Sequence, residues 1–354
     1  MRQAWFLLLV IALNGCSKGA EGPNMSVILA EGPAQLLSDY GLFQPGRPGM
    51  PQAGVLPYDL INPLFSDFTT KDRLVFVPSN QTITYTPDEV LAFPVGTVLI
   101  KTFSLAADQR APGDDLAKIE TRVLIRKDSG WVAYPYVWSS DGRDAVYSPV
   151  GARHETQFIG PDGHDIAFTY SVPNQNQCKT CHALNGTLVP IGPKARNLNH
   201  VGPQGQNQLV DWQSRGILRG VPERPPTASQ VSDLTVPLDH RARAYLDINC
   251  AHCHREGGSA SNSGLWLQTS ETSPVRLGIA KYPTAAGRGA GEAVHIISPG
   301  APDQSILAYR MASTETGIAM PELGRALQDP DGVALVRAWI ADMDPQPRDA
   351  PSVP

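Results

Sequence analysis

Two pentapeptides carry the chemistry of this chain: Cys178-Lys179-Thr180-Cys181-His182 and Cys250-Ala251-His252-Cys253-His254. Both read C-x-x-C-H. Two thiols three residues apart reach the two vinyl groups of one porphyrin and form thioethers, and the adjacent histidine falls under the iron as its proximal ligand. Each motif therefore predicts one covalently bound haem c, held by Cys178 and Cys181 or by Cys250 and Cys253, with His182 and His254 as axial iron ligands. A four-thiolate zinc site or two thioredoxin-like redox pairs would use the same cysteines. Zinc gives no reason for a histidine after both pairs, and neither motif opens a helix after a βαβ-type strand.

The fifth cysteine points the same way. Met1-Arg2-Gln3 precedes an apolar run from Ala4 to Leu13, a signal-peptide layout too short to span a bilayer as a helix. Leu13-Asn14-Gly15-Cys16 resembles the bacterial lipobox, in which the cysteine is acylated and becomes the mature N-terminus. Lipidation at Cys16 predicts an exported, lipid-anchored protein. Ser17 directly after it favours the outer membrane, facing the periplasm. One lipid-bearing and four haem-bearing cysteines account for all 5 and leave none for a disulfide.

The sixth iron ligands are less evenly marked. Met320-Pro321 follows Cys250 by 70 residues in a loop opened by Thr316-Gly317, and a thioether sulfur is a suitable soft axial ligand. Met311 and Met343 sit in apolar helical stretches and read as packing. No methionine lies between Met50 and Met311. For the first haem, His200 is the tentative distal ligand, with His154, His164 and Met50 as other candidates. A five-coordinate iron there would make the chain an enzyme.

The elements expected to position these groups fall into two kinds. From about Pro33 to Val172, short β-rich runs recur at Arg73–Val77, Thr82–Tyr85, Thr97–Phe103, Ile119–Arg126, Trp131–Trp138, Ala145–Tyr147 and Ile166–Tyr170. They predict an antiparallel sandwich or open barrel. Trp131, Tyr134, Tyr136 and Trp138 on these strands read as packing rather than as a ligand groove. Beyond the first motif, a short helix near Gln206–Arg215, closed by Gly216, would lay Leu209 and Trp212 on a haem edge. A helix capped by Asp239 leads into Cys250. Asp329-Pro330 starts a last helix whose Val333, Val336, Ile340 and Met343 form an apolar stripe, ended by Pro345. Helix, motif, long loop, Met-Pro and final helix is the layout of a class I cytochrome c domain. Arg241 and Arg243 are exposed helix arginines or partners for haem propionates, and Gly287–Gly291 is a loop near the second haem.

The predicted fold is thus α+β and multidomain: an N-terminal antiparallel β domain followed by an all-α di-haem cytochrome c region. The segments are a signal peptide at 1–16, a tether at 17–32, the β domain at 33–172, a first haem segment at 173–235, a second haem domain at 236–346 and a disordered tail at 347–354. The 354 residues suit two or three domains, and 32 Gly plus 32 Pro fall short of a low-complexity chain. The net charge of −5 from 29 basic and 34 acidic residues argues against a nucleic-acid partner.

Several phrases carry a resemblance: Phe93-Pro94-Val95-Gly96-Thr97, Asn176-Gln177 before the first motif, Arg243-Ala244-Tyr245-Leu246-Asp247-Ile248-Asn249 before the second, and Met320-Pro321-Glu322-Leu323-Gly324. With the two motifs they resemble an uncharacterised family of bacterial lipoprotein di-haem c-type cytochromes, over nearly the whole mature chain. The resemblance implies haem c at both sites and a periplasm-facing electron carrier, and it supplies no substrate. The leading expectation is single-electron transfer between redox partner proteins. The alternatives are a di-haem peroxidase-like oxidoreductase with an open first haem, and a redox subunit whose β domain docks a partner or glycan.

Overall fold

The computed structural model describes residues 22–113 and 116–345. Cys16, the signal segment and the tail at 347–354 lie outside the described residues. Met25–Leu29, within the stretch expected as a tether, forms a short helix (α1) capped by Asn24, whose side chain accepts from the Val27 amide, and it buries Ile28 completely.

The centre of the molecule is one six-stranded antiparallel sheet. Chain order gives β1 (Val55–Tyr58), β2 (Thr70–Phe76), a two-residue β3 (Ile83–Thr84), β4 (Val98–Ala106), β5 (Leu116–Lys127), β6 (Gly130–Trp138) and β7 (Ala145–Tyr147). The sheet order is β1-β2-β4-β5-β6-β7, and a separate hairpin pairs β8 (Ala152–Ile159) with β9 (Asp165–Val172). Period-two alternation sends Leu74, Phe76, Val98, Ile100, Val123, Ile125, Tyr134 and Tyr136 to one face, where Ile28, Leu37 and Tyr40 close the core. Tyr134, Tyr136 and Trp138 are buried there, and Trp131 packs edge-on against Phe93, so these aromatics form no exposed strip.

The opposite face carries Val75 and Leu99 and is covered by Ala195, Leu198, Leu209, Trp212 and Leu218. These come from the segment that carries and follows the first motif, which is woven into the sheet rather than folded apart. It contains the hairpin strands β10 (Ala183–Leu184) and β11 (Thr187–Leu188) and the short helices Gln175–His182 (α2), Ala195–Leu198 (α3) and Gln208–Ser214 (α4). Its last strand, β12 (Leu218–Arg219), pairs in parallel with β3.

A third core joins Leu238–Asn249 (α5), Ile306–Ala312 (α6) and Pro330–Ala341 (α7) to Leu265, Leu267, Ile296 and Ile297. The expected stripe on α7 is buried at Val333, Val336 and Ile340, and Asp329 caps it by accepting from the Gly332 amide at 3.0 Å. Asp239 is not the cap of α5. Pro237 holds that place, and Asp239 accepts from Trp339 Nε1 at 2.8 Å. Gly332 is required by close approach: a Cβ there would lie 2.2 Å from the Tyr245 hydroxyl, which donates to Asp329 Oδ2 at 2.9 Å.

The fold class therefore departs from the sequence reading. The described chain is mostly β, 21% of it is helical in seven short helices, and no all-α haem-cytochrome region is present among the described residues. The physical reason is breaker density. Pro190, Pro193, Gly202, Pro203 and Gly205 limit α3 and α4 to single or double turns. Gly257, Gly258, Gly264, Pro274, Gly278 and Pro283 leave only 3₁₀ turns and loops between Cys250 and Ile306. Apolar residues in such segments bury against the sheet or against loops, since no long helical partner is available.

Candidate functional site

The first motif occupies α2. Asn174 and Gln177 form a capping box: each side-chain oxygen accepts from the other's amide, both at 2.9 Å. The helix ends at His182, and the chain turns back through Asn185 and Gly186, both with positive φ, as two-residue hairpins demand. This return brings Val189 beside His182, whose Nδ1 lies 2.7 Å from the Val189 carbonyl oxygen. A carbonyl only accepts, so Nδ1 carries the proton and Nε2 is left as the free donor atom for a metal.

The second motif begins where α5 ends. Cys250 closes the helix by donating its amide to the Leu246 carbonyl, and Cys253 and His254 turn back onto the Cys250 carbonyl. His254 Nδ1 lies 3.3 Å from Ser263 Oγ, and that hydroxyl donates to the Ala260 carbonyl at 2.7 Å. Toward His254 the serine therefore accepts, which again fixes the proton on Nδ1 and frees Nε2. Burial holds both imidazoles down to about 4, so each is neutral at neutral pH.

Each motif opens into its own cleft. The first, of about 140 Å³, holds Cys178, Cys181 and His182 on one side and the strand residues Arg73, Lys101 and Arg122 on the sheet side. The second, of about 380 Å³, holds Cys250, Cys253 and His254 with Arg310, Met311 and Met320.

The two clefts share a wall. Sγ of Cys181, Sγ of Cys253 and a ring nitrogen of His252 lie within 4.8 Å of one another, and His252 lines both clefts. Hydrogen bonding between the two thiols holds Cys253 below the ordinary thiol range and Cys181 above it, with His252 adding to the lowering of Cys253. Burial instead raises Cys178, and pushes Cys250 up to about 12. No disulfide joins Cys178, Cys181, Cys250 and Cys253.

Met320 is held in the second cleft by its backbone. Its amide donates to the Arg310 carbonyl at 2.9 Å, and its carbonyl accepts from Arg325 Nη2 at 2.8 Å. Arg325 also donates to the Ser313 and Leu327 carbonyls, and the Asp67 carboxylate accepts from the Ala326 and Leu327 amides at 2.7–3.0 Å. Met311 also borders the second cleft but is 5% exposed inside the third core.

Other candidates stand elsewhere. His200 does not line the first cleft; its Nε2 faces Asp59 Oδ1 and Gln208 Nε2, each at 3.1 Å. His154 and His164 belong to the β8–β9 hairpin region, and Met50 is 49% exposed on the surface. Arg241 and Arg243 line neither cleft. Arg241 donates to the Val231 carbonyl and Arg243 to the Gln268 and Glu271 carbonyls. Gly287–Ala290 forms a 3₁₀ turn against Arg310.

Sequence reasoning missed His252, which reads as a spacer residue inside its motif, and the basic strand residues of the first cleft. Asn185-Gly186 was a readable hairpin signal for the Val189 return. No known family model, curated protein or solved structure matches this chain.

Proposed function

We propose that this chain is an exported di-haem c-type cytochrome that carries single electrons between redox partner proteins. On this reading Cys178 and Cys181 hold one haem c and Cys250 and Cys253 the other, with His182, His254 and Met320 as axial donors. Cys16 would carry the lipid that anchors the protein to the outer membrane on its periplasmic side. When bound, haem supplies a one-electron iron couple whose potential the surroundings tune.

The observation that carries the reading is the geometry at the two histidines. Each C-x-x-C-H histidine is half-buried, neutral, tied through Nδ1 to an oxygen acceptor and free at Nε2, and each faces a cleft bordered by its own two thiols. Val189 and Ser263 orient the rings as outer-shell partners orient metal-ligating imidazoles. The walls exclude water on their apolar sides through Leu99 and Leu124 in the first cleft and Leu265 and Leu267 in the second. The shared wall at Cys181 and Cys253 brings the attachment edges together, which suits passage of an electron from one cleft to the other.

The protein purified from a host with haem c maturation tests this. Intact mass and an alkaline pyridine haemochrome should give two covalent haems per chain, and the oxidised EPR spectrum should contain a low-spin signal from the haem ligated by His254 and Met320. A high-spin iron that binds cyanide or peroxide would move the reading toward a peroxidase-like enzyme.

A second reading has its own observation. Cys181, His252 and Cys253 present two sulfurs and a nitrogen within 4.8 Å, a soft donor set for zinc-like ions. Haem thioethers at Cys181 and Cys253 exclude it. One equivalent of zinc with no covalent haem in the same preparation would establish it instead.

A further inference from the structure

The sheet face that covers the first cleft changes character along the strands. Val75, Leu99 and Leu124 form an apolar row, and two residues along each strand the next row is Arg73, Lys101 and Arg122. The register pairs Arg73 with Lys101 and Lys101 with Arg122, so the three side chains stand side by side on one face. Like charges directly opposite one another destabilise a sheet. All three residues line the cleft that holds Cys178, Cys181 and His182.

Only part of this charge is answered. Glu120, fully buried, accepts from Arg122 Nε at 2.8 Å and Nη2 at 2.6 Å, and also from the Tyr170 hydroxyl at 2.6 Å. Arg73 is 7% exposed; its Nη1 donates to the Lys71 carbonyl, and its Nη2 is buried with no hydrogen-bond partner. The Lys101 ammonium rests 4.7 Å from the Phe103 ring centre. Burial, with Arg73 and Arg122 alongside, pushes that ammonium well below its ordinary range. Asp59 and Asp72 act on Arg73 through charge alone, and Glu120 is the carboxylate hydrogen-bonded to the row among the described residues. A buried guanidinium nitrogen left without a partner is costly until an anion meets it.

We infer that the Arg73–Lys101–Arg122 row is a carboxylate receptor, and that its ligands are the two propionates of the haem carried by Cys178 and Cys181. This rests on the haem reading given above. The row stands side by side on the wall of the first cleft, and the unpartnered Arg73 Nη2 supplies a buried donor of the kind carboxylates engage most strongly. The β sheet is then the wall that holds the propionate edge of the first haem, and its row of cations raises that haem's potential by disfavouring the added electron less.

The test uses the haem-loaded full chain with Lys101→Met, Arg73→Gln and Lys101→Arg. The Met and Gln variants should keep two covalent haems. Each should shift one haem's one-electron reduction equilibrium toward the oxidised form by about tenfold, which is 59 mV. The propionate bending band in the resonance Raman spectrum should move with it, and Lys101→Arg should restore both. Potentials and Raman band unchanged in both neutral variants would overturn the inference. Acetate or nitrate titrated onto the wild type separates the remaining source. An anion-dependent spectral change that Lys101→Met abolishes, with the Raman band unmoved, would make the row a receptor for a solution anion and also overturn it. A wild type lacking covalent haem would instead remove the reading on which the inference stands.

Discussion

The sulfurs of Cys181 and Cys253, 72 residues apart in sequence, lie within 4.8 Å of each other. Each belongs to a different C-x-x-C-H motif, so the two motifs meet side by side at their second cysteines. Thr180 adds to the contact through its carbonyl, 4.0 Å from Cys253 Sγ. A protein that needed two independent binding sites would have no reason to bury these thiols against one another. The arrangement makes the two clefts one unit.

The first prediction follows from that contact. Two haems attached at abutting thiols should sense each other's charge. Reduction of one should disfavour reduction of the other, and the oxidised pair should show spin–spin broadening in EPR. Cys178→Ser with Cys181→Ser, leaving the second haem alone, should raise its midpoint relative to the same haem beside a reduced neighbour. Identical potentials with and without the neighbour would contradict the shared wall.

Met320 gives a sharper optical prediction. Its backbone is fixed between Arg310 and Arg325 at the mouth of the second cleft. Met320→Ala should abolish the weak red-edge methionine–iron band and lower the potential of one haem, because His/Met ligation raises it. Met311→Leu, a near-isosteric change in the third core, should leave the band in place. Haem content should stay at two in both.

Asp67 links the sheet region to the Met320 loop. Its carboxylate, 3% exposed, accepts the Ala326 and Leu327 amides, next to Arg325 and five residues before α7 at most. Asp67→Ala leaves the half-buried Ala326 and Leu327 amides without their acceptor, each costing about 1 kcal/mol, the low end for a donor left unpaired. Thermal unfolding should show a clear loss of stability. The Met320 band should weaken as well, whereas a surface change such as Asp141→Ala should alter neither.

How much of this was legible in the residues depends on the range of the interaction. The strands were readable because Thr97–Phe103 and Trp131–Trp138 are β-rich and bounded by turn signals, and both are strands of the central sheet. The cap at Asp329 was readable because capping is local. The all-α expectation failed because the C-x-x-C-H and Met-Pro spacing fixes where ligands stand, not what chain connects them. Pro190, Pro193, Gly257 and Gly258 signalled loops in the same sequence. Lys101 looked like any strand lysine, since its two flanking arginines meet it only through sheet register, 28 and 21 residues away. His200 read as a distal ligand by spacing alone, yet Asp59 and Gln208 hold its Nε2 outside the first cleft.

Lys71 sets a pH dependence of known sign. Burial, and next the Arg73 charge, push its ammonium down to about 8, with Asp67 and Asp329 opposing and Arg122 adding to the shift. In the unfolded chain a lysine titrates near 10.4. Between about pH 8 and pH 10.4 the unfolded state therefore holds a proton that the folded state has released, and stability rises with pH across that window. One such group contributes at most about 1.4 kcal/mol per pH unit. Below pH 8 both states are protonated and the cost of burying the charge is present in full. Lys101 is shifted in the same direction, so the wild-type slope alone does not isolate Lys71. The difference between wild type and Lys71→Met does. Denaturant unfolding at half-unit steps from pH 7 to pH 10.4 should find the variant more stable near pH 7, with the gap closing as pH rises. A gap that widens with pH, or a variant less stable at every pH, would mean that the Lys71 charge stabilises the fold.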